Sequence, residues 1–253
     1  MTSVTPGTAP GQPDTALVER IRHTLAALGD PQRAAGQQAY MKSTMPYLGV
    51  TMGELRRAVR PLLRRWAPDR ATWEATLRHL WDGASHREYR YAALAIAHHR
   101  LAATHRLSGP EAPAGTLELA RYLVTTGAWW DLVDPVATGL VRESLLTHPA
   151  ATARVLREWA VDPDLWLRRT AIIAQVGAKQ GTDPVLLADV IEPNLEGGGY
   201  ADRAGRQDFF IRKAIGWVLR DYAYVEPGFV RQYVETRRSR MAGLSIREAL
   251  KHL

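Results

Sequence analysis

The sequence predicts an all-α protein, a curved α-solenoid built from antiparallel helix pairs. Three observations carry this expectation. Apolar residues recur at spacings of three and four in one segment after another; Leu17, Ile21, Leu25 and Leu28 mark the first such stripe. No segment alternates apolar and polar residues between hairpin turns, so strands are not expected. Three stretches, RHLWDGASHREYRYAAL, RYLVTTGAWWDLVDPVA and LREWAVDPDLWLRRTAI, each pass from a helix end through a short capped turn into a helix with an aromatic in its first turn. Their recurrence at roughly 35–45 residues is the period of two-helix repeats. The concave side of such a superhelix is the natural seat for a long ligand.

The elements follow in order. Residues 1–15, MTSVTPGTAPGQPDT, are rich in Pro, Gly and Thr and are expected to be a disordered lead-in to a single domain over 16–253. The first helix stops at Gly29-Asp30, and Asp30-Pro31 opens the second, over 32–44. Thr51 with Glu54 three residues on forms a capping box for a helix over 51–66, in which Pro61 is expected to introduce a kink or a split. A helix over 70–81 follows, and Ser85 with Glu88 gives a second box for 86–104. Further helices are expected over 115–126, 129–146, 150–160, 164–179 behind Asp164, 183–194 behind Asp183-Pro184, 207–224, 226–236 and 244–252. HRLSGPEAPAG (105–115) reads as a loop. NLEGGGYADRAGRQD (194–208), with three consecutive glycines and then Arg203 and Arg206, is longer than a helix–helix turn requires and reads either as a mobile exposed loop or as one that contacts the ligand.

Composition excludes several chemistries. There is no cysteine, hence no disulfide, no Cys-ligated zinc and no Cys-ligated iron–sulfur cluster, which suits a reducing, cytoplasmic setting. No apolar run is long enough to span a bilayer, and the N-terminus lacks the pattern of a secretory signal. His98 and His99 are adjacent and diverge on a helix, and His79, His86, His148 and His252 make no ligand spacing, so no metal is expected. Glycine-rich phosphate loops, GxSxG and HExxH are absent from the sequence, and no cofactor is expected. The net charge is +7, and 29 of the 33 basic residues are arginine. Arginine-preferring codons explain that ratio as well as phosphate recognition does, and a basic excess points to nucleic acid only where it gathers on one face.

Against this basic background, TTGAWWDLVD (125–134) sets two tryptophans beside two aspartates. On a helix Trp130 and Asp134 are i and i+4 and share a face, whereas Trp129 and Val133 read as core. Asp131, early in the helix, suits the macrodipole; Asp134 lies deeper and is followed by Pro135, so capping accounts for it less well. Later stretches repeat the pairing of an aromatic with a basic residue: Trp166 with Arg169, and Trp217 with Arg212, Lys213 and Arg220. AYMKS supplies Tyr40 and Lys42. A tryptophan in a helix is more often core than site, and Trp66, Trp73, Trp81 and Trp159 are read that way.

Together AYMKS…PYLGV (39–50), LWDGASHREYRYAAL (80–94), GAWWDLVD (127–134), LWLRRTAI (165–172), FFIRKAIGWVLRDYA (209–223) and SIREALKH (245–252) resemble the HEAT-like alkylpurine DNA glycosylases of the AlkD type, over roughly Leu17 to Leu253. The resemblance implies HEAT-like helix pairs with a concave DNA-binding face. It implies that Asp134 is the catalytic aspartate, that Trp130 and Trp217 are the two tryptophans of the site, that Arg169 is the arginine beside them, binding a phosphate next to the lesion, and that Tyr40 is an aromatic on the N-terminal side of the cleft. Lys42, Arg212, Lys213 and Arg247 are the further basic residues expected at DNA. Arg56, Arg57, Arg60, Arg64, Arg90 and Arg220 are weaker candidates, each more often a solvated surface charge.

The implied activity is hydrolysis of the N-glycosidic bond of cationic N3- or N7-alkylated purines in duplex DNA, without base flipping, by a monomer associated with the nucleoid. The Gly-rich insertion around 197–207 departs from the family pattern and leaves substrate range open. Some relatives in antibiotic-producing actinobacteria remove bulky minor-groove adducts of their own products, and such an insertion could serve that role. The other reading is a noncatalytic scaffold for DNA or protein, which would have no need of a carboxylate in a groove that attracts phosphate.

Overall fold

Seven of the fifteen α-helices among the described residues start where a short polar side chain takes up a free backbone N–H. The computed structural model describes residues 11–109, 111–197 and 208–253, and among the described residues there are helices and connecting segments but no strands. In chain order the α-helices are α1 (Thr15–Ala26), α2 (Pro31–Met41), α3 (Met52–Leu63), α4 (Arg70–Asp82), α5 (Arg87–Ala97), α6 (Ala103–Leu107), α7 (Ala114–Gly127), α8 (Trp130–Val136), α9 (Arg142–Thr147), α10 (Pro149–Trp159), α11 (Leu165–Ile173), α12 (Pro184–Ile191), α13 (Phe209–Ala223), α14 (Pro227–Arg237) and α15 (Gly243–Ala249). Asp14, Asp30, Asp69, Asp164, Asp183 and Asp208 cap α1, α2, α4, α11, α12 and α13 through their carboxylates. Thr51 and Glu54 complete the expected reciprocal box at α3. Each such cap contributes about 1 kcal/mol.

The chain packs as two units that divide after His105. In the first, α1 buries Leu17, Val18, Ile21 and Leu25 against α3, α4 and α5, with Trp73 and Trp81 filling the interior. In the second, α11 is the central element: every residue from Trp166 to Ile173 is buried, and the helix touches α7, α8, α10, α12 and α13. Sequence neighbours pack together as expected of helical repeats: α4 on α5, α7 on α8, α9 on α10 and α13 on α14. No helix among the described residues is long and apolar enough to cross a membrane.

Several local expectations are corrected. Residues 1–10 of the expected disordered lead-in lie outside the described residues, but Gly11 and Asp14 donate their N–H groups to Thr72 and Thr76 on α4, and Asp14 also accepts from the Trp66 indole, so this part of the lead-in is tied down. Pro61 does not split α3, because it falls in the last turn and the helix ends at Leu63. Ser85 and Glu88 form no capping box: α5 starts at Arg87, behind His86. The Glu88 carboxylate instead accepts the N–H groups of Leu48, Gly49 and Val50, three donors of an extended segment that has no ladder to satisfy them.

The helix expected over 86–104 ends at Ala97, where Trp73 Nε1 donates to the Ile96 carbonyl at 2.9 Å and His99 is extended. The one over 164–179 ends at Ile173, shortly before Gly177, whose φ is +80°. The one over 129–146 is interrupted by a π-helical turn over Ala137–Val141. There the Arg142 N–H reaches the Ala137 carbonyl five residues back, and the Thr138 hydroxyl donates to the Asp134 carbonyl at 2.8 Å. The Gly-rich expectation at 197–207, with Arg203 and Arg206, falls outside the described residues apart from Gly197.

Candidate active site

Asp134 is the fifth residue of α8 and Arg169 the fifth of α11. Arg169 donates Nε–H to Asp134 Oδ1 and an Nη2 hydrogen to Oδ2, both at 2.7 Å, in a two-pronged contact. Its Nη1 donates to the carbonyl of Phe210 on α13, again at 2.7 Å. One guanidinium thereby joins three helices. The Arg169 side chain is 6% exposed and that of Asp134 is 15% exposed, so the arginine is enclosed while the carboxylate keeps a face open. Each Asp134 oxygen accepts one bond from Arg169, and an ionised carboxylate has about four acceptor sites, which leaves capacity for a further partner.

Burial pushes the Asp134 carboxyl above the usual aspartate range. The hydrogen bonds and charge of Arg169 pull it back without cancelling the shift, and the nearby charge of Asp131 adds to the rise. The two groups meet in a poorly hydrated setting. Such a pair costs desolvation and is weak evidence of a stability role.

Around this pair stands a nest of rings. Trp129, Trp166 and Phe210 meet pairwise at centroid separations of 5.8, 5.3 and 4.9 Å, and Phe209 leans edge-on against Phe210 at 5.4 Å. Trp129 is the N-cap of α8 with extended backbone, φ −156° and ψ 145°, which separates its indole from that of Trp130 one residue later. Trp129, expected in the core, is half-buried, and its indole N–H is shielded from solvent with no hydrogen-bond partner among the described residues. Trp130 opens α8 one turn before Asp134 and on the same side, also half-buried. Trp217 lies two turns beyond Phe210 on the same face of α13, about 10 Å along the axis, and is half-buried too. Neither Trp130 nor Trp217 packs on another ring among the described residues, whereas Trp129 and Trp166 are consumed by the nest.

The other expected site residues are distributed differently. Lys213 and Arg220 on α13 both engage Glu248 of α15, with Lys213 Nζ at 3.0 Å, and the Lys213 hydrogen bond leads the effects that hold the Glu248 carboxyl below its usual range. Arg212 buries its Nε without a hydrogen-bond partner among the described residues, and Arg247 on α15 is exposed. Arg90 lies over the Trp81 ring at 4.9 Å. Tyr40 and Lys42 belong to the first unit; Tyr40 is 78% exposed on α2, and Lys42 is an exposed C-cap in the left-handed region. Arg169, expected at a phosphate beside the lesion, is enclosed. Three of its five N–H groups are engaged, two by Asp134 and one by the Phe210 carbonyl. Phe210 was not singled out by sequence reasoning. Its only signal there is its place in FFIRKAIGW, seven residues before Trp217.

The family model described as DNA alkylation repair enzyme matches residues 21–253. A solved structure, described as a predicted DNA alkylation repair enzyme from Enterococcus faecalis, is similar with a TM-score of 0.73 and 24% identity, covering 89% of this chain and 96% of that one. No curated protein matches the chain.

Proposed function

The chain belongs to the DNA alkylation repair enzyme family, and on that premise we propose that it is a DNA glycosylase that hydrolyses the N-glycosidic bond of cationic N3- or N7-alkylated purines in duplex DNA. The observation that carries this reading is the state of Asp134: a nearly buried carboxylate, oriented by the Nε and Nη2 hydrogen bonds of Arg169, with acceptor capacity to spare and one face open.

The chemistry asks for such a group. Departure of an alkylated purine leaves oxocarbenium-like positive charge on the deoxyribose, and carboxylates stabilise that charge in glycoside hydrolysis generally. An alkylated purine already carries its positive charge, so its departure needs no general acid. Asp134 stabilises the sugar cation and accepts a proton from the attacking water. Arg169 holds the carboxylate in place. The half-buried indoles of Trp130 and Trp217 offer π faces that favour nearby positive charge. Such a site works on the sugar and does not need a pocket for an extruded base, which supports a reaction without flipping.

A second reading, a noncatalytic scaffold, has one observation in its favour: the Asp134–Arg169–Phe210 link would staple α8, α11 and α13 together in any case. One experiment separates the two. Methylated duplex DNA is incubated with wild type and with Asp134→Asn, and freed bases are resolved by chromatography. Release by wild type and a loss of about 10²–10³-fold in the variant is the expected result, the scale on which one preorganised electrostatic partner acts. Equal release by both removes Asp134 from the reaction, and no release from methylated or bulky-adduct DNA leaves the scaffold reading.

A further inference from the structure

The excess of positive charge is not spread evenly over this chain. On α3, Leu55, Val59 and Leu63 form the buried stripe. Arg56, Arg57 and Arg60 on the helix, with Arg64 and Arg65 just past its end, are all exposed on the other side. Among the described residues none of these five has a carboxylate within ion-pair distance. Exposed or half-exposed arginines elsewhere commonly do: Arg78 with Glu74, Arg121 and Asp162, Arg157 and Asp189, Arg238 and Glu235, Arg240 and Glu192. The one acidic residue of α3, Glu54, is already taken by the Thr51 cap and by Arg33 at 3.1 Å.

Arg56 and Arg60, Arg57 and Arg60, and Arg60 and Arg64 are i, i+4 or i, i+3 neighbours, so like charges sit side by side on one helix, which disfavours it. The helix dipole welcomes cations in the last turn, which accounts for Arg64 and Arg60, but Arg56 and Arg57 lie in the second turn, beyond that help. A preference for arginine codons explains why these residues are arginine and not lysine. It does not explain the exclusion of carboxylates from one face.

We propose that the exposed arginine face of α3 is a second, lesion-independent docking surface for the phosphate backbone of duplex DNA. From Arg56 to Arg64 the helix rises about 12 Å. A DNA strand presents a phosphate roughly every 3.4 Å of axis, so several phosphates lie within reach of this row. Guanidinium groups bind phosphate oxygens through paired N–H bonds, and such contacts hold the duplex without reading its sequence. The face carries a single large apolar residue, Met52, which gives little for a membrane surface to bury. The choice of DNA over another polyanion rests on the family assignment; the surface itself does not depend on the chemistry assigned to Asp134.

The test uses the full chain and undamaged duplex DNA, with affinity followed by fluorescence anisotropy over a salt series. Arg56→Gln, Arg57→Gln, Arg60→Gln and Arg64→Gln are combined in one variant. The control variant combines Arg154→Gln, Arg157→Gln, Arg238→Gln and Arg240→Gln, which lowers the formal charge by the same four units. Circular dichroism and thermal melting establish that both variants are folded. The α3 variant is expected to reduce the slope of log affinity against log salt by up to about 3.6, at 0.9 per phosphate contact, and the control to leave it nearly unchanged. An unchanged slope in the α3 variant, or equal reductions in both, overturns the proposal. So does loss of binding to phosphatidylserine-containing vesicles with DNA affinity retained. A wild type that frees no methylated base would sink the glycosylase reading without touching this measurement.

Discussion

Arg169 holds Asp134 through two parallel hydrogen bonds of 2.7 Å, across 35 residues of sequence and between two helices. The same guanidinium anchors to the backbone of Phe210, so the orientation of the carboxylate is set by three helices at once. A lysine could keep the charge but not the fork. Arg169→Lys is therefore expected to fold and to slow base release on the order of 10²-fold, the effect of loosening a reacting group by a fraction of an ångström. Arg169→Met leaves a nearly buried carboxylate alone and should cost up to about 3–5 kcal/mol in urea unfolding. Near-normal release by both variants would show that the carboxylate needs no holder.

The protonation of Asp134 gives a separate handle. Its folded value is raised above the ordinary 3.8, burial being the leading cause. Catalysis needs the anion, so base release should fall as pH drops through an apparent pKa above that of a free aspartate. Stability responds with the opposite sign. A carboxyl that binds its proton more tightly when folded contributes stability below its unfolded value and loses that contribution as pH rises through the folded one. The acid limb of activity should therefore occur with the helical circular dichroism intact. In Arg169→Lys the limb should move to higher pH, because the bonds that pull the Asp134 value down are weakened. A pH profile flat down to an ordinary aspartate value counts against a raised Asp134 in catalysis.

Lesion charge is the next discriminator. If Asp134 and the two open indoles act on developing positive charge with no acid for the leaving group, a purine that is already cationic should leave and a neutral one should not. Excision of 7-methylguanine is expected to exceed that of 1,N6-ethenoadenine by at least roughly 10²-fold, the scale of one electrostatic partner. Equal rates in single-turnover assays would point to a proton donor somewhere at the site.

How far the site was legible follows from the range of each interaction. The i, i+4 relation of Trp130 and Asp134 is local, and helical periodicity alone places them on one face. The caps at Asp30, Asp164 and Asp183 are likewise readable because the bonding group lies within three residues. Arg169 could be singled out but not assigned its partner, since the contact with Asp134 spans 35 positions and only the packing of α8 on α11 creates it. Glu88 misled for the same reason: a local rule offered it to Ser85, while a loop 40 residues earlier held three unsatisfied donors. The break after Ala97 coincides with a bond from an indole on another helix, which no local pattern reports. Fold class needed none of these, because it follows from the summed periodicity of many segments.

Glu88 is itself testable. Its carboxylate is fully buried and serves three backbone donors at 2.9–3.1 Å, fixing residues 48–50 to α5. Glu88→Ala strands all three and is expected to destabilise by at least about 3 kcal/mol, given about 1 kcal/mol or more for each buried unsatisfied donor. Glu88→Gln keeps one acceptor oxygen and should lose less. Urea unfolding followed by tryptophan fluorescence measures both, and a Glu88→Ala protein as stable as wild type would mean that the segment releases its donors to water without penalty.

Two glycines make a final pair with opposite expectations. Gly49 has φ +88°, and a Cβ there would lie 2.1 Å from the Asp30 carbonyl oxygen, backbone that cannot swing aside. The close approach is needed because Asp30 N–H donates to the Leu48 carbonyl at 2.8 Å, drawing the segment against the start of α2. Gly49→Ala combines a left-handed conformation with a backbone clash, and a loss of roughly 3 kcal/mol or more is expected, beyond the 1–3 kcal/mol of strain alone. Gly36 lies inside α2 with nothing within 4 Å of the added methyl. Gly36→Ala should stabilise by about 0.8–1 kcal/mol through helix propensity. Thermal melting of the two variants should therefore shift in opposite directions from wild type, and a stabilised Gly49→Ala would mean that residues 48–50 do not pack against Asp30 in solution.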